Sequence, residues 1–228
     1  MLEELMQAVG YGLCHQLPER SFFGGAYQVP VCARDMGIYV GFAVSLAVIA
    51  LLSRGRRPSE MPPVWLMVLG VVFVLTMAFD GVTSYAGLRT TTNDIRLITG
   101  LLTGFGLTLA LVPVLNGQLW RQPGRDRLLG RTSDALLWLL SIPVLFVLLR
   151  WVMPYFSIVF PLLVVVAILV TFTAVNLAIV CLLPPFEMKA QRLRDAWLPI
   201  LIASGLTVFL LAATAGLRVA LERSVLGA

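Results

Sequence analysis

The sequence predicts an all-α polytopic membrane protein, a bundle of six transmembrane helices with an extracytoplasmic N-terminal tail. Three observations carry that expectation. Of 228 residues, 59% are hydrophobic and only 13% charged, against about 45–50% and about 25% in an average soluble domain. The mean hydropathy is +0.91. The apolar residues also gather into six runs, each near the ~20 residues needed to cross ~30 Å of hydrocarbon. This composition excludes an ordinary cytosolic enzyme and a disordered chain, and the length suits one bundle.

Residues 1–35 form the tail, an extracytoplasmic or interfacial segment in which Leu5 to Leu13 are apolar enough to lie on the membrane. It opens with Glu3 and Glu4 where a cleavable signal would have a basic region, so none is expected. The bundle occupies residues 36–217. Its first span is Met36 to Ser53, closed by Ser53-Arg-Gly-Arg-Arg-Pro58, cations followed by a breaker. The second runs from Met61 to Phe79, the third from Ile95 to Leu115 and the fourth from Ala135 to Phe156. The fifth, Ile158 to Leu183, ends at Pro184-Pro185, and the sixth is Trp197 to Leu217, leaving residues 218–228 as a short C-terminal tail. Only Met153-Pro-Tyr-Phe-Ser157 separates the fourth from the fifth, which requires a tight interfacial turn with Arg150 snorkelling to it.

The formal charge of +5 and pI near 9.6 would point to nucleic acid in a soluble protein. Here the excess has a topological cause. The loops after spans one, three and five hold Arg54, Arg56, Arg57, Arg121, Arg125, Arg127, Arg131, Lys189, Arg192 and Arg194 against five acids, while the opposite face is neutral. The positive-inside rule puts those loops in the cytoplasm and both termini outside the cell (inner) membrane. The partner implied is the lipid bilayer, with other integral membrane subunits as a second candidate, and not nucleic acid.

The outward face carries the scarce polar chemistry. The tail contains Cys14-His15 and Cys32-Ala-Arg-Asp35, and the loop after span two contains Asp80-Gly-Val-Thr83 followed by Arg89, Asn93 and Arg96. Cys32 and Asp35 are three apart at the start of a helix, so both face one point. With Cys14 and His15 they make a four-donor set that zinc or another divalent metal would take as a cofactor. The competing reading is a Cys14–Cys32 disulfide on the oxidising side of the membrane. Cys181, near the cytoplasmic end of span five, reads as a buried apolar residue.

Asp80 ends a long apolar run and is the candidate catalytic base or fifth ligand, its alternative being an ion pair with Arg89 or Arg96. Arg89 and Arg96 are candidate substrate contacts, and with Arg20 and Arg34 they make an outward cationic cluster for a phosphate or carboxylate such as a lipid head group, the alternative being solvation and local pairing with Glu19, Asp35, Asp80 and Asp94. Asn93 is a structural residue expected to cap the third helix. Gly100 and Gly104, spaced Gly-x-x-x-Gly, are structural residues expected at a close helix contact. Thr171, Thr173 and Asn176 are placed for interhelical hydrogen bonding.

These residues resemble a known family. Cys-His-x-x-Pro-Glu-Arg-Ser-Phe, then Cys-Ala-Arg-x-x-Gly-Ile-Tyr-x-Gly-Phe, then Asp-Gly-x-Thr with the trailing Arg, Asn, Arg and Thr-Gly are similar, in order, to the prokaryotic membrane proteins grouped as domain of unknown function (DUF) 2085. The resemblance runs from about Cys14 to Gly104. It implies a membrane fold and a residue pattern, and brings no activity. Two positions depart from the pattern, Asp35 where the family has a second Cys and Ser84 where it has Gln.

The expected function is therefore an integral membrane protein with an outward Cys/His/Asp site, metal-binding and acting on a lipid or envelope substrate. The alternatives are a non-enzymatic accessory subunit of a larger complex, favoured by the loss of a ligand at Asp35, and a thiol-disulfide redox protein. The latter lacks the usual Cys-x-x-Cys partner.

Overall fold

The computed structural model describes residues 1–226, of which the side chains of residues 225–226 are set aside. Seven α-helices follow one another: α1 (Leu2–Tyr11), α2 (Ala33–Ser53), α3 (Val64–Tyr85), α4 (Asn93–Leu119), α5 (Thr132–Val147), α6 (Val159–Cys181) and α7 (Trp197–Leu226). Six segments, all but α1, are long and apolar enough to span a membrane. Their outer faces are bare hydrocarbon: Val64, Val68, Val71, Leu75, Phe79 and Val82 of α3 are all exposed. Water would oppose such a face, whereas lipid tails match it.

Helix bounds differ from the apolar runs where polar residues find partners inside the bundle. α3 continues past Phe79 to Tyr85, so Asp80 lies within a helix instead of at its end. α5 passes through a π-turn at Leu148–Val152 and a 3-10 turn at Met153–Phe156 before Ser157, at φ +46°, reverses the chain. Arg150 donates from Nε to Asp94 at 2.6 Å, an ion-pair anchor beyond simple snorkelling. α7 continues to Leu226, so most of the expected C-terminal tail is helix; residues 227–228 lie outside the described residues.

α2 lies at the centre, packed on α4, α5 and α6, while α3 packs on α4 and α7 on α6. The α2–α4 contact is a backbone contact. A Cβ on Gly100 would sit 2.1 Å from the Arg34 carbonyl oxygen, and one on Gly104 would sit 2.3 Å from that of Ile38. Gly37 and Gly41 answer from α2, against Leu97 and Leu101. Small residues let two helices approach this closely where lipid supplies no hydrophobic drive. The consequence is positional, because the N-terminal ends of α2 and α4 are brought side by side.

Buried polar pairs tie the rest. Ser45, Thr108 and the Trp138 indole N–H link α2, α4 and α5 at 2.6 and 2.8 Å. Asn176 donates to Thr207 at 3.0 Å between α6 and α7, with Thr173 3.3 Å from the same hydroxyl, and Thr171 reaches the Tyr39 carbonyl at 3.3 Å. The three basic loops knit together at one end. A short β1 (Pro58–Glu60) pairs in parallel with β2 (Gly124–Arg127), and Trp120 bridges to Ala190. Cys181 is fully buried there. The N-terminal segment, the α3–α4 loop, the turn at Ser157 and the end of α7 share the other end.

A candidate thiol and carboxylate site at one end of the bundle

Cys14 sits in the turn that closes α1, its N–H bonded to the Gly10 carbonyl at 3.0 Å. Three glutamines hold that turn against the segment leading to α2. Gln16, at φ +56°, donates to the carbonyls of Gln7 (2.7 Å) and Pro30 (2.9 Å). Gln28 donates to the Gln16 carbonyl at 2.8 Å, and Gln7 to that of Gln28 at 2.9 Å. From the far end of the chain, Arg218 donates to the carbonyls of Tyr11 and Cys14, both at 2.6 Å, and is itself held by Glu222. Nothing in the local sequence around these residues marks them as supports. Their polarity in an otherwise apolar chain is the one signal that singles them out.

Cys32 is the residue before the first turn of α2 and Asp35 lies in that turn. The backbone N–H of Cys32 donates to Cys14 Sγ at 3.2 Å, and Cys32 Sγ lies 3.3 Å from Asp35 Oδ2. One donor atom from each of Cys14, Cys32 and Asp35 falls within 4.8 Å of the others. All three cysteines are free thiols. His15 stays outside the donor group and is exposed, because its neighbour Cys14 points inward and adjacent side chains of a turn diverge.

The two thiols are driven apart electrostatically. Cys14 is lowered from 9.0 to about 7, first by its hydrogen bond with the Cys32 side chain and then by the backbone N–H groups of Gln16 and Cys32. Cys32 is pushed up, first by that same bond, then by burial and by the negative charge of Asp35. Of the two, Cys14 is the thiol that ionises first.

These groups open into a cavity of about 320 Å³ that is also lined by His15, Arg20, Arg34, Ser84, Tyr85 and Arg96. Asp80 and Arg89 are not part of its wall. Asp80 is 1% exposed and accepts from Arg34, Arg89 and, at 2.8 Å, Thr91. With both oxygens engaged it is an ion-paired anion joining α3 to α2, the arrangement the sequence offered as the alternative to a base or ligand. Of its two expected partners Arg89 pairs with it, while Arg96 bonds Asn93 Oδ1 at 2.9 Å. Arg34, another of the outward arginines, is its second partner.

Asn93 does not take its expected capping role. The cap of α4 is Thr92, whose extended backbone lets its hydroxyl accept from the Ile95 N–H at 3.3 Å. Asn93 instead donates to the Glu19 carbonyl at 3.1 Å, joining tail to bundle.

A family model described as predicted membrane protein (DUF2085) matches residues 14–110, the segment from Cys14 into α4. An uncharacterised protein of Methanocaldococcus jannaschii is 32% identical over 110 residues, 48% of this chain and 68% of the relative. An uncharacterised protein of Methanothermobacter thermautotrophicus is 33% identical over 97 residues, 42% of this chain and 82% of the relative. No solved structure matches. Because the match spans more than two thirds of each relative and begins at Cys14, the chain belongs to the DUF2085 family of predicted membrane proteins.

Proposed function

We propose that the protein holds a zinc-type divalent metal on Cys14, Cys32 and Asp35 at the outward end of the bundle, and acts there on a lipid or envelope substrate. One observation carries this reading. Three donors from two separate segments meet beside a cavity, and the Cys32 to Asp35 separation of 3.3 Å is close to the ~3.5 Å edge expected for tetrahedral zinc with ~2.3 Å sulfur and ~2.0 Å oxygen bonds. Three protein ligands and one position open to a cavity is the pattern of a zinc centre that works on a substrate. Binding would expel the Cys32 proton, since only thiolate ligates. The basic end of the bundle faces the cytoplasm of the cell membrane by the positive-inside rule, which puts the site and both termini outside.

Elemental analysis of the purified full chain tests the reading. About one zinc per chain is expected in the wild type and in His15→Ala, and none in Cys32→Ser. A wild-type protein prepared without chelator that carries no stoichiometric metal sinks the proposal. The second reading, thiol redox chemistry, draws on the adjacent free thiols and the lowered Cys14. It requires a Cys14–Cys32 disulfide that forms and reverses in the folded protein. An accessory role predicts instead a partner that co-purifies from native membranes.

A further inference from the structure

We propose that the same cavity is a phosphate site, with Arg20 and Arg96 holding the oxyanion and Arg34 contributing the third guanidinium. This names the substrate class for the outward site and rests on the reading above only in using that cavity, since neither Arg20 nor Arg96 is among the metal donors.

Charge balance is the first argument. The cavity wall carries three guanidiniums against one carboxylate, Asp35, and the readily ionised Cys14 thiol, and so keeps a cationic excess. Among the described residues neither Arg20 nor Arg96 pairs with an acid. The polar partner of Arg96 is the neutral amide of Asn93, and Arg20 lies 6.0 Å from the centre of the Tyr85 ring. Arg34 is shared with Asp80, yet its buried Nε has no acceptor. Guanidiniums gathered at a membrane surface repel one another, and a tetrahedral dianion accepting paired N–H groups is the ligand that removes the repulsion. The cavity at the opposite end is a built-in contrast. It too has three arginines, Arg56, Arg127 and Arg131, but Asp126 and Asp134 line it with them and Glu60 lies 3.7 Å from Arg127.

Size and access are the second argument. A volume of about 320 Å³ lies at the lower end of the ~300–1,000 Å³ of small-molecule sites. Its Ser84 and Tyr85 wall is the last turn of α3, whose Phe79 and Val82 are 65% and 67% exposed on the lipid-facing side. A lipid lying along α3 would bring its headgroup to this rim, and free phosphate would arrive from the aqueous side.

The test uses full-length protein in detergent, metal-free after EDTA treatment and again after zinc loading. Equilibrium dialysis measures inorganic [32P]phosphate, and displacement of that label measures dihexanoyl phosphatidate, with dihexanoyl phosphatidylcholine as the zwitterionic control. Saturable phosphate or phosphatidate binding is expected in the metal-free protein. It should weaken about tenfold or more in Arg20→Gln and in Arg96→Gln, less in Arg96→Lys, and stay unchanged in Arg125→Gln at the other end. Phosphatidate at least tenfold tighter than phosphate assigns the site to a lipid headgroup, and equal affinities assign it to the free ion. Absence of binding by both, or unchanged affinity in a folded Arg20→Gln/Arg96→Gln protein, overturns the proposal. Loss of zinc without loss of phosphate binding fails only the metal reading.

Discussion

Asp80→Asn is expected to destabilise the bundle by about 3–5 kcal/mol, the cost of leaving one member of a buried ion pair uncompensated. The substitution keeps the shape and one acceptor oxygen, so the loss reports charge. The two arginines do not weigh equally. The Arg89 side chain is 39% exposed and solvent screens it, so its pair contributes about 0–1 kcal/mol. Arg34 is 12% exposed and Asp80 1%, so most of the effect belongs to that pair. Reversible unfolding in mixed micelles, followed by circular dichroism as SDS is titrated, measures each variant. Arg89→Gln should cost at most about 1 kcal/mol, and the Arg34→Gln/Asp80→Asn double variant about 2 kcal/mol less than the sum of its singles. An Asp80→Asn loss below about 1 kcal/mol, or strict additivity in the double variant, would refute the assignment of Asp80 as a structural anion.

Two further outcomes are expected. In metal-free protein Cys14 is lowered to about 7 and Cys32 is pushed up, so iodoacetamide should label Cys14 at a rate that climbs through about pH 7 while Cys32 stays slow; Arg218→Gln, which frees the Cys14 turn, should move that midpoint up toward the ordinary thiol value. Both cysteines titrating together would contradict it. Gly104→Ala puts a Cβ 2.3 Å from the Ile38 oxygen and should cost about 1–3 kcal/mol of stability; Gly205→Ala meets open space and should be neutral or stabilising by up to about 1 kcal/mol. Equal effects at the two glycines, in the same unfolding assay, would remove the case for a close α2–α4 contact.

How far the site was legible depended on whether its parts were local. Cys32 and Asp35 share one turn, so their spacing alone placed them on one side of a helix. Gly100 and Gly104 likewise announced a close contact by their spacing, though not that α2 was the neighbour. Cys14 joined Cys32 only through Gln7, Gln16 and Gln28, which look like ordinary polar tail residues. Arg34 stood out as one of four outward arginines, but no spacing tied it to Asp80 in particular. Arg218 stood over a hundred residues beyond the family match in what reads as a trailing tail.

The environment and the axis of this protein are written in its linear pattern of apolar and basic residues. Hydropathy counts residues along a chain, and that one-dimensional quantity is enough to set six spans and to sort the basic loops to one end. Which polar groups meet is settled by the packing of the helices and the tail. Charges that are uniformly distant in sequence, such as Arg34 and Asp80 or Arg20 and Arg96, are brought together by the glycine contact of α2 with α4 and by the fold of the tail. Whether a carboxylate becomes a buried structural anion or a donor open to a cavity follows from those contacts, because partner geometry and burial fix its charge and no linear spacing encodes either.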